Sequence, residues 1–507
     1  MFIREVNNRS GSVSIQIISK IRGKYKVVKS IGSGRTLKEI VALKENARLE
    51  LARIEKQPSL FVSKDESLIE SYLSTFSNDQ IRIVGPELIL GKLYDGIGFS
   101  EIKEKLFRHL VITRLINPGS KLKTIDYLLR YQGIKIGKDA IYRFLDKLQG
   151  IYKEKVEQIS FSHTLKVQNG HIGIVFYDMT TLHFEASDVD DLRKTGFSKV
   201  GRHQDPQIYL GLLISASGFP IGYDIYEGGI YEGHTLIPFI KKFEQKFNLS
   251  KPVLVADSGL LNIDNIVYLE SENYTYILGA RIKNENSLLK EQILSLNLED
   301  GQSTVINKEL GRRLIVSCSA KRAKKDEYNR NRGLKRLEKN IKSGKLTKSN
   351  INKRGYNKYL QLEGEVKIKI DYEKFNQDAQ WDGLKGYLTN TTLSAQEVIG
   401  SYSCLWQIER AFRISKSDLL IRPIFHRLKN RIEAHICISF VAFTIYKELE
   451  RILKKENCPF SARRAIELTR NMYQLSFILP DTKQHQNLIL RMDDQQQQLY
   501  SILKRFY

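Results

Sequence analysis

Two aspartates directly follow short apolar runs, a placement that suggests chemistry. Asp178 comes after the run at 174–177, and Asp257 comes after the run at 253–256. A carboxylate at the end of a buried strand is costly unless it has a partner. Hard divalent cations favour oxygen ligands, and Mg²⁺ is usually held by few carboxylates together with substrate phosphates and water. We therefore predict that the two side chains share a metal ion, with aspartates that cap turns as the alternative.

A third carboxylate, Glu409, lies in the stretch 394–419, which has no breaker and is predicted to form one long helix. Tyr402, Glu409 and Lys416 are spaced by seven residues, so they share one helix face with only ~20° of drift per heptad. That face presents a phenol, a carboxylate and an amine, where apolar residues would form a core stripe. The alternative is an exposed helix stabilised by salt bridges.

The elements around the first two aspartates predict a mixed α/β domain. Several short β-rich runs form a meander, which is followed by an amphipathic helix and two further strands. This order is typical of an α/β domain with a mixed sheet. The runs are 172–184, 207–228, the helix 234–248, and then 251–259 and 274–282.

Composition limits the class of protein. The chain has 507 residues, 41% of them hydrophobic, which suffices for several units with a sizeable core. Its four cysteines form no CxxC pair, so neither a disulfide framework nor a thiolate zinc site is indicated, and a reducing cytoplasm is the simpler assumption. The first residues lack the apolar core of a signal peptide, and no apolar stretch reaches the ~18 residues of a membrane helix. We expect a cytoplasmic protein with no membrane partner.

The net charge of +24 indicates a polyanionic partner, because neutralising phosphates releases condensed counterions. Half of this charge lies in the segment 321–358, where fifteen Lys and Arg residues face three acidic ones. We predict a DNA-backbone contact surface there, with a solvated basic helix as the alternative. Its first cationic residues are Lys321, Arg322, Lys324 and Lys325.

Two further regions have weaker signals. In residues 98–149 the apolar residues recur at helical spacing, and basic residues outnumber acidic ones. This pattern predicts a helix-turn-helix-like DNA-binding unit or a small helical bundle. His426 and His435 have no cysteine nearby, so we favour DNA-facing or capping roles over a zinc site.

The stretch 402–416, YSCLWQIERAFRISK, resembles the Tyr-x2-Arg-x3-Glu-x6-Lys signature of DDE transposases in the "insertion sequence four" group. Tyr402, Glu409 and Lys416 match it, while Leu405 stands where the pattern has Arg. The two aspartate-bearing strands and the segment 381–390 are also similar to this family. The resemblance covers roughly residues 95–450, and it implies an RNase H-like core interrupted by a β-rich insertion before the last acid.

The resemblance implies roles for individual residues. Asp178, Asp257 and Glu409 would be the catalytic and metal-binding triad, and three carboxylates suit two Mg²⁺ ions, with Mn²⁺ as an alternative. Tyr402 and Lys416 would contact DNA near the transposon end. Because Arg is missing at position 405, Arg410 or Arg413 is expected to make its phosphate contact instead.

Together these readings predict a DNA transposase that cleaves the ends of an insertion sequence and transfers the strands. We expect an RNase H-like mixed-sheet core with a basic insertion, between a helical DNA-binding region and a helical tail. The expected partners are double-stranded terminal inverted repeats and target DNA, bound by a homodimer on paired ends in a prokaryotic nucleoid. The alternatives are an RNase H-like nuclease without strand transfer and an inactive DNA-binding relic.

The predicted domains are 1–95 (β-hairpin and helical), 96–165 (helical, DNA-binding), 166–285 (first part of the core), 286–390 (insertion), 391–450 (last core helix) and 451–507 (tail).

Overall fold

The computed structural model describes most of the chain in two compact units. One unit comprises Met1–Ile81 with Leu475–Leu488, and the other comprises Arg82–Gln474 with Ile489–Tyr507. Three cations of the basic segment, Lys348, Lys353 and Arg354, lie outside the described residues. The described residues are 1–21, 23–54, 69, 72–74, 76–185, 188–196, 201–202, 204–247, 251–347, 350–352, 355–363, 367–479 and 482–506.

The first unit begins with an antiparallel sheet and a helix. Its strands are β1 (Phe2–Asn7), β2 (Val13–Ile21) and β3 (Lys24–Gly34), in the order β1-β2-β3, and helix α1 (Leu37–Ile54) follows. The β2–β3 pair forms the predicted N-terminal hairpin. Its alternating apolar residues place Ile15 and Ile17 on a buried face.

The second unit opens with a short strand and a run of helices. The helices α3 to α5 occupy the region for which a helix-turn-helix-like unit or a bundle was predicted. Ser120 caps α4 by accepting a hydrogen bond from the backbone N–H of Lys123, and Gly133 ends the helix in the left-handed conformation. The elements are β4 (Ile81–Ile83), α2 (Lys92–Ile97), α3 (Lys105–Ile116), α4 (Lys121–Gln132), α5 (Lys138–Lys147) and α6 (Lys153–Val167).

The centre of the second unit is a mixed sheet with the strand order of an RNase H-like core. The order is β7-β6-β5-β8-β9, in which β5, β6 and β7 are antiparallel while β8 runs parallel to both β5 and β9. This confirms the predicted fold class. The elements are β5 (Ile174–His183), β6 (Gln207–Ser215), β7 (Pro220–Glu227), α7 (Leu236–Phe247), β8 (Val253–Ala256), α8 (Ile263–Ser271) and β9 (Tyr276–Ala280).

The segment predicted as an insertion extends this sheet. Strand β14 pairs antiparallel with β9 on one side and with β11 on the other, and β10 completes a sheet of eight strands. The basic residues lie mainly on the long helix α10 between β11 and β14. The elements are α9 (Ser287–Ser295), β10 (Ser303–Asn307), β11 (Arg313–Cys318), α10 (Ala320–Lys342), β12 (Leu360–Glu363), β13 (Lys367–Ile370), α11 (Tyr372–Ala379) and β14 (Leu384–Thr389).

The last part of the chain is mostly helical. Helix α14 is buried on all sides over most of its length, as expected of an apolar core helix. The tail after 451, predicted as helical, also contains two strands, because residues 473–478 alternate apolar and polar side chains. Among the described helices, none combines the length and apolar content needed to cross a bilayer. The elements are α12 (Ala395–Ser403), α13 (Trp406–Arg413), α14 (Lys429–Lys455), α15 (Ala462–Thr469), β15 (Tyr473–Ile478), β16 (His485–Ile489) and α16 (Asp494–Phe506).

Helices cover both faces of the sheet. On β5, Val175 and Tyr177 belong to the apolar cluster that contains the residues of α7. The intervening Phe176 belongs to the opposite cluster, with Ile408 and Phe412 of α13. Because successive side chains of a strand point to opposite faces, residues of the same parity as Phe176 face the layer of α12, α13 and α14.

Candidate active site

The register of β5 and β8 places the two aspartates side by side. The parallel pairing of β5 with β8 ends at Tyr177 and Ala256. Asp178 and Asp257 are therefore the next residues along these two neighbouring strand segments. The predicted strand end at Asp178 was wrong, since β5 continues to His183 by pairing with β6. It is the parallel pairing that stops before the two acids.

Strand alternation gives both acids the same direction. Asp178 has the parity of Phe176, and Asp257 has the parity of Val255, and both of these apolar residues pack in the cluster that contains α13. Asp257 is exposed and Asp178 is half-buried, with its Oδ1 accepting a hydrogen bond from the backbone N–H of Met179 at 2.7 Å. Both carboxylates therefore lie on the sheet face that is covered by the layer of α12, α13 and α14.

The stretch 394–419 is not one continuous helix, so that prediction was wrong. Helix α12 ends at Ser403, α13 starts at Trp406, and a π-helical turn occupies Ile414–Asp418. The Ser403 hydroxyl donates to the carbonyl of Gly400 at 2.6 Å, a local bond that competes with the helical hydrogen bonds. Tyr402 and Glu409 consequently lie on separate helices and do not share one straight face.

Tyr402 is bonded directly to one of the acids. Its side chain is buried, and its hydroxyl donates a hydrogen bond to Oδ1 of Asp257 at 3.0 Å. Burial and, next, the charge of Asp257 raise the pKa of the Tyr402 phenol, so it remains a donor. A Cβ at position 279 would lie 2.4 Å from this hydroxyl, so Gly279 provides the space that Tyr402 occupies.

Lys385, on strand β14, connects the second and third acids electrostatically. Burial lowers its pKa most and Arg322 lowers it further, while the charges of Asp257 and Glu409 raise it. Both carboxylates therefore lie within electrostatic range of this ammonium group. The Lys385 Nζ lies 4.2 Å from the centre of the Tyr402 ring, a cation–π distance.

Sequence reasoning did not select Lys385. The segment 381–390 was used only for its family resemblance, although a single lysine within the strand sequence LKGYLT is itself a signal. A charged residue in a half-buried strand usually has a partner. Only the pairing of β14 with β9 brings this lysine to the acids.

Lys416 joins the helical layer to the strand of the first acid. Its Nζ donates a hydrogen bond to Oγ1 of Thr180. Thr180 lies two residues after Asp178 and therefore on the same face of β5. The turn that follows α13 is thus held beside Asp178, and the acid-bearing elements meet where the parallel pairing of β5 and β8 ends.

A cationic cleft of about 450 Å³ opens beside Asp257. Asp257 and Tyr402 line it together with four cations, Arg281, Lys283, Arg322 and Lys385. Arg322 lies in the first turn of α10, with its Nε 3.4 Å from Oδ2 of Asp326. Lys321, Lys324 and Lys325 are exposed on the same end of α10. The basic helix therefore starts at the cleft.

The residues around the missing signature arginine have different surroundings. Leu405 is partly buried and packs against the main core, so an apolar side chain suits this position. Arg410 forms an ion pair with Glu450 of α14. Arg413 is exposed and has no ion pair within the described part of the chain. Arg413 is therefore the more available of the two predicted substitutes.

The donor set at the point where the β5–β8 pairing ends fits a hard divalent ion by its chemistry. Asp178 and Asp257 supply carboxylate oxygens from neighbouring strand segments, and Glu409 lies on α13, which packs on β5. Within the described ranges, no three His, Cys, Asp or Glu side chains form a ready ligand set. Binding an ion through all three acids would therefore require side-chain adjustment.

Comparison with known proteins identifies a family. Residues 169–445 match the family model described as transposase DDE domain. No curated protein matches the sequence.

Solved structures give weaker likenesses. The piggyBac transposase synaptic complex with hairpin DNA is 11% identical, with 78% of this chain and 80% of that chain covered and a TM-score of 0.38. The Mos1 transposase paired-end complex with left transposon end is 14% identical, with 33% and 56% covered and a TM-score of 0.16. Such TM-scores support no inference about this chain, and the fold assignment rests on the strand order.

Proposed function

The chain belongs to the transposase DDE domain family, and from this membership we propose that Asp178, Asp257 and Glu409 are its catalytic acids. The protein is a DNA transposase. The observation that supports the triad is the β5–β8 register, which sets Asp178 beside Asp257 on the sheet face that the layer of α12, α13 and α14 covers. Glu409 is the acid of α13 that lies within electrostatic range of Lys385, as Asp257 does.

Transposases with this domain generally use divalent metal ions, and we propose that the three acids hold two Mg²⁺ ions, with Mn²⁺ as an alternative. Such ions would polarise the scissile phosphate and stabilise the attacking and leaving oxygens. Tyr402 keeps Asp257 oriented through its hydrogen bond, because the buried phenol remains protonated. Tyr402 is in this proposal a positioning residue.

The cations of the cleft are suited to the phosphates of the substrate. We propose that Arg322 and Lys385 contact the DNA backbone beside the scissile bond, and that Lys321, Lys324 and Lys325 continue this contact along α10. Lys416 would contact the transposon end near Asp178. Arg413 is proposed to replace the signature arginine.

The reaction has two steps on phosphorus. Water attacks the phosphodiester at the element end, the P–O3′ bond breaks, and the 3′ oxygen leaves as a hydroxyl. That 3′-OH then attacks a target phosphodiester, forming one P–O bond while another breaks, so no high-energy cofactor is consumed. We further propose membership of the "insertion sequence four" group and a homodimer on paired ends.

The triad is tested by separating cleavage from binding. Asp178→Asn, Asp257→Asn and Glu409→Gln should each abolish cleavage with Mg²⁺ and leave the affinity for end DNA nearly unchanged, because each removes only one carboxylate charge. Matched controls are Asp264→Asn and Glu291→Gln, which replace exposed acids on α8 and α9. Retained cleavage in any triad variant would remove that residue from the proposed set.

Strand transfer is tested with pre-cleaved end DNA and a supercoiled target. A transposase yields joined products from this substrate, whereas a nuclease that shares the fold yields none. Joined products that depend on Asp178, Asp257 and Glu409 would exclude both the nuclease and the inactive relic.

A further inference from the structure

A second cavity, of about 540 Å³, lies among the helices that precede the sheet. Its walls come from the end of α3, the start of α4, residue Tyr142 of α5 and the connection between α13 and α14. Arg114 and Lys121 line it, although the two residues are only 4% and 6% exposed. Lysine and arginine are rarely buried to this degree without a counter-charge.

Neither cation has an acidic partner within the described part of the chain. Arg114 donates a long hydrogen bond of 3.4 Å to the carbonyl of Leu420, and Lys121 forms no ion pair there. Lys121 also occupies the first turn of α4, where the helix dipole is positive. Burial and the adjacent Arg114 both lower its pKa, as expected for an uncompensated ammonium.

The other ionisable groups at the cavity do not supply a negative charge. Burial, followed by nearby cations, lowers the pKa of His426 to about 4, and His435 is shifted in the same direction. Both imidazoles are therefore neutral at physiological pH. The acid that influences His426 is Asp146, whose carboxylate is bound by Arg431 at 2.8 and 2.9 Å. Buried charge without a partner is expensive, so an external anion would relieve it.

The exposed residues that line the cavity differ in chemistry from the buried cations Arg114 and Lys121. Phe425, Leu122 and Leu420 line the cavity and are 67%, 56% and 41% exposed. Arg422 also lines the cavity. Burial, then Arg202 and then Arg422 lower the pKa of His183, which lies at the end of strand β5 that carries Asp178. The mouth is therefore apolar and aromatic, and its cationic wall lies near the strand of the first catalytic acid.

We propose that this cavity is a phosphate-binding pocket in which Lys121, Arg114 and the amino end of α4 hold one phosphate of a DNA strand. The first backbone N–H groups of a helix have no intrahelical partner and, with the dipole, suit an anion. A nucleotide attached to that phosphate would place its base against Phe425, since aromatic side chains stack on unpaired bases. The phosphate site rests on the buried cations alone, whereas its assignment to DNA rests on the proposed function.

The phosphate site is tested by thermal unfolding of the full-length protein in chloride and in inorganic phosphate at equal ionic strength. A ligand that binds only the folded state raises the melting temperature, so wild type should be more stable in phosphate. Lys121→Met keeps the apolar stem and removes the charge. It should weaken phosphate binding about tenfold or more, because a charge-assisted hydrogen bond is lost.

Two further variants keep this test decisive. Lys135→Gln removes an exposed lysine of the α4–α5 turn and should respond to phosphate as wild type does. Arg422→Gln changes an exposed residue of the cavity wall, so it should fold and should also weaken phosphate binding. In chloride, Lys121→Met should be at least as stable as wild type, because it removes an unpaired buried charge. An equal phosphate response in wild type, Lys121→Met and Arg422→Gln would overturn the pocket.

The source of the phosphate is tested with a 5′-phosphorylated thymidine trinucleotide and with its uncharged methylphosphonate analogue that lacks the terminal phosphate. The charged trinucleotide should bind more tightly than inorganic phosphate, and the analogue should lose the dependence on Lys121. Equal affinity for inorganic phosphate and the trinucleotide would assign the pocket to a free anion and overturn the DNA source. Because these measurements involve no cleavage, their failure would leave the proposed triad unaffected, and loss of the triad would leave the pocket unaffected.

Discussion

At the scale of single residues, the acids depend on neighbours that are not acids. Tyr402 donates to Asp257, and Lys385 lies over the Tyr402 ring while its charge interacts with Asp257 and Glu409. The resemblance assigned Tyr402 to DNA contact, whereas its burial and its hydrogen bond favour a positioning role. These two roles have different kinetic consequences.

Tyr402→Phe is expected to slow cleavage at saturating DNA about tenfold or more, because it removes a hydrogen bond to a charged carboxylate. The ring remains and its contact with Tyr387 is kept, so affinity for end DNA should not change. Single-turnover cleavage and a binding titration measure the two quantities. Weaker binding with unchanged cleavage at saturation would instead support the DNA-contact role.

The lowered pKa of Lys385 predicts a pH dependence. As the pH rises, this lysine loses its charge earlier than an ordinary lysine, so a step that needs the ammonium group should decline at correspondingly lower pH. Lys385→Arg keeps its charge throughout this range and should retain activity further into alkaline pH. The measurement is the pH profile of cleavage at saturating DNA.

Lys283→Arg is the matched control for Lys385, since Lys283 lines the same cleft but is held by Asp378 at 2.6 Å. Its alkaline limb should coincide with that of wild type. Coincident limbs for wild type and Lys385→Arg would show that Lys385 is not the group that titrates.

At the scale of elements, the break between α12 and α13 allows two neighbouring helices to serve one site. Tyr402, near the end of α12, reaches over Gly279 of β9 to Asp257, while α13, which carries Glu409, packs on β5 and β6. A continuous helix would place both side chains along one axis. The close approach of α12 to β9 requires glycine at position 279.

Gly279→Ala is expected to destabilise the protein by ~1–3 kcal/mol and to reduce cleavage, because the new methyl group would meet the Tyr402 hydroxyl and the backbone N–H of Ser258. Denaturant unfolding and cleavage assays measure both effects. Gly400→Ala on α12 meets nothing within 4 Å and should stabilise the helix by ~0.5–1 kcal/mol. Equal stability of the two variants would contradict the packing explanation.

The first turn of the basic helix α10 borders the cleft. We therefore expect the start of this helix to contact DNA phosphates more than its far end does. Replacing Lys321, Lys324 and Lys325 by Gln should reduce the slope of log affinity against log salt by about 1 to 3, because each phosphate contact contributes ~0.9. Lys339→Gln with Lys342→Gln, at the far end of α10, is the control and should change the slope less. An unchanged slope in the first variant would show that this end does not touch phosphates.

At the scale of the whole molecule, the basic segment and the sheet topology are both suited to binding DNA. Half of the net charge of +24 lies in the interruption between the second and third acids, and the strands of this interruption extend the catalytic sheet. The basic helix is thereby anchored to the same sheet as the acids. DNA is accordingly expected to be held against the active site.

A homodimer on paired ends predicts a defined stoichiometry. Light scattering of the Asp178→Asn variant with end DNA should give complexes of two protomers with two DNA ends, since this variant should bind without cutting. Unrelated DNA of equal length is the control and should give no discrete species of this size. One protomer per end at all concentrations would contradict the dimer.

Much of the candidate site could be predicted from the amino-acid sequence because its signals are local. Apolar runs that end in Asp178 and Asp257, the spacing of Glu409 from Tyr402 and Lys416, and the concentration of cations at 321–358 depend only on neighbouring residues. These patterns predicted a mixed α/β sheet and singled out the three acids, because strand alternation and charge clustering are properties of short segments. The RNase H-like core and the assignment of the acids to one triad came from the family resemblance.

Tertiary structure alone decided how these residues meet. The β5–β8 register puts the aspartates side by side, the pairing of β14 with β9 brings Lys385 to them, and the break after Ser403 turns Tyr402 onto Asp257. The burial of Arg114 and Lys121 could not be predicted either, since nothing distinguishes these two cations from the many others in a basic sequence. Such contacts join residues that are far apart in the chain. Only the packing of the sheet against the helices determines which of these side chains are buried in contact with one another.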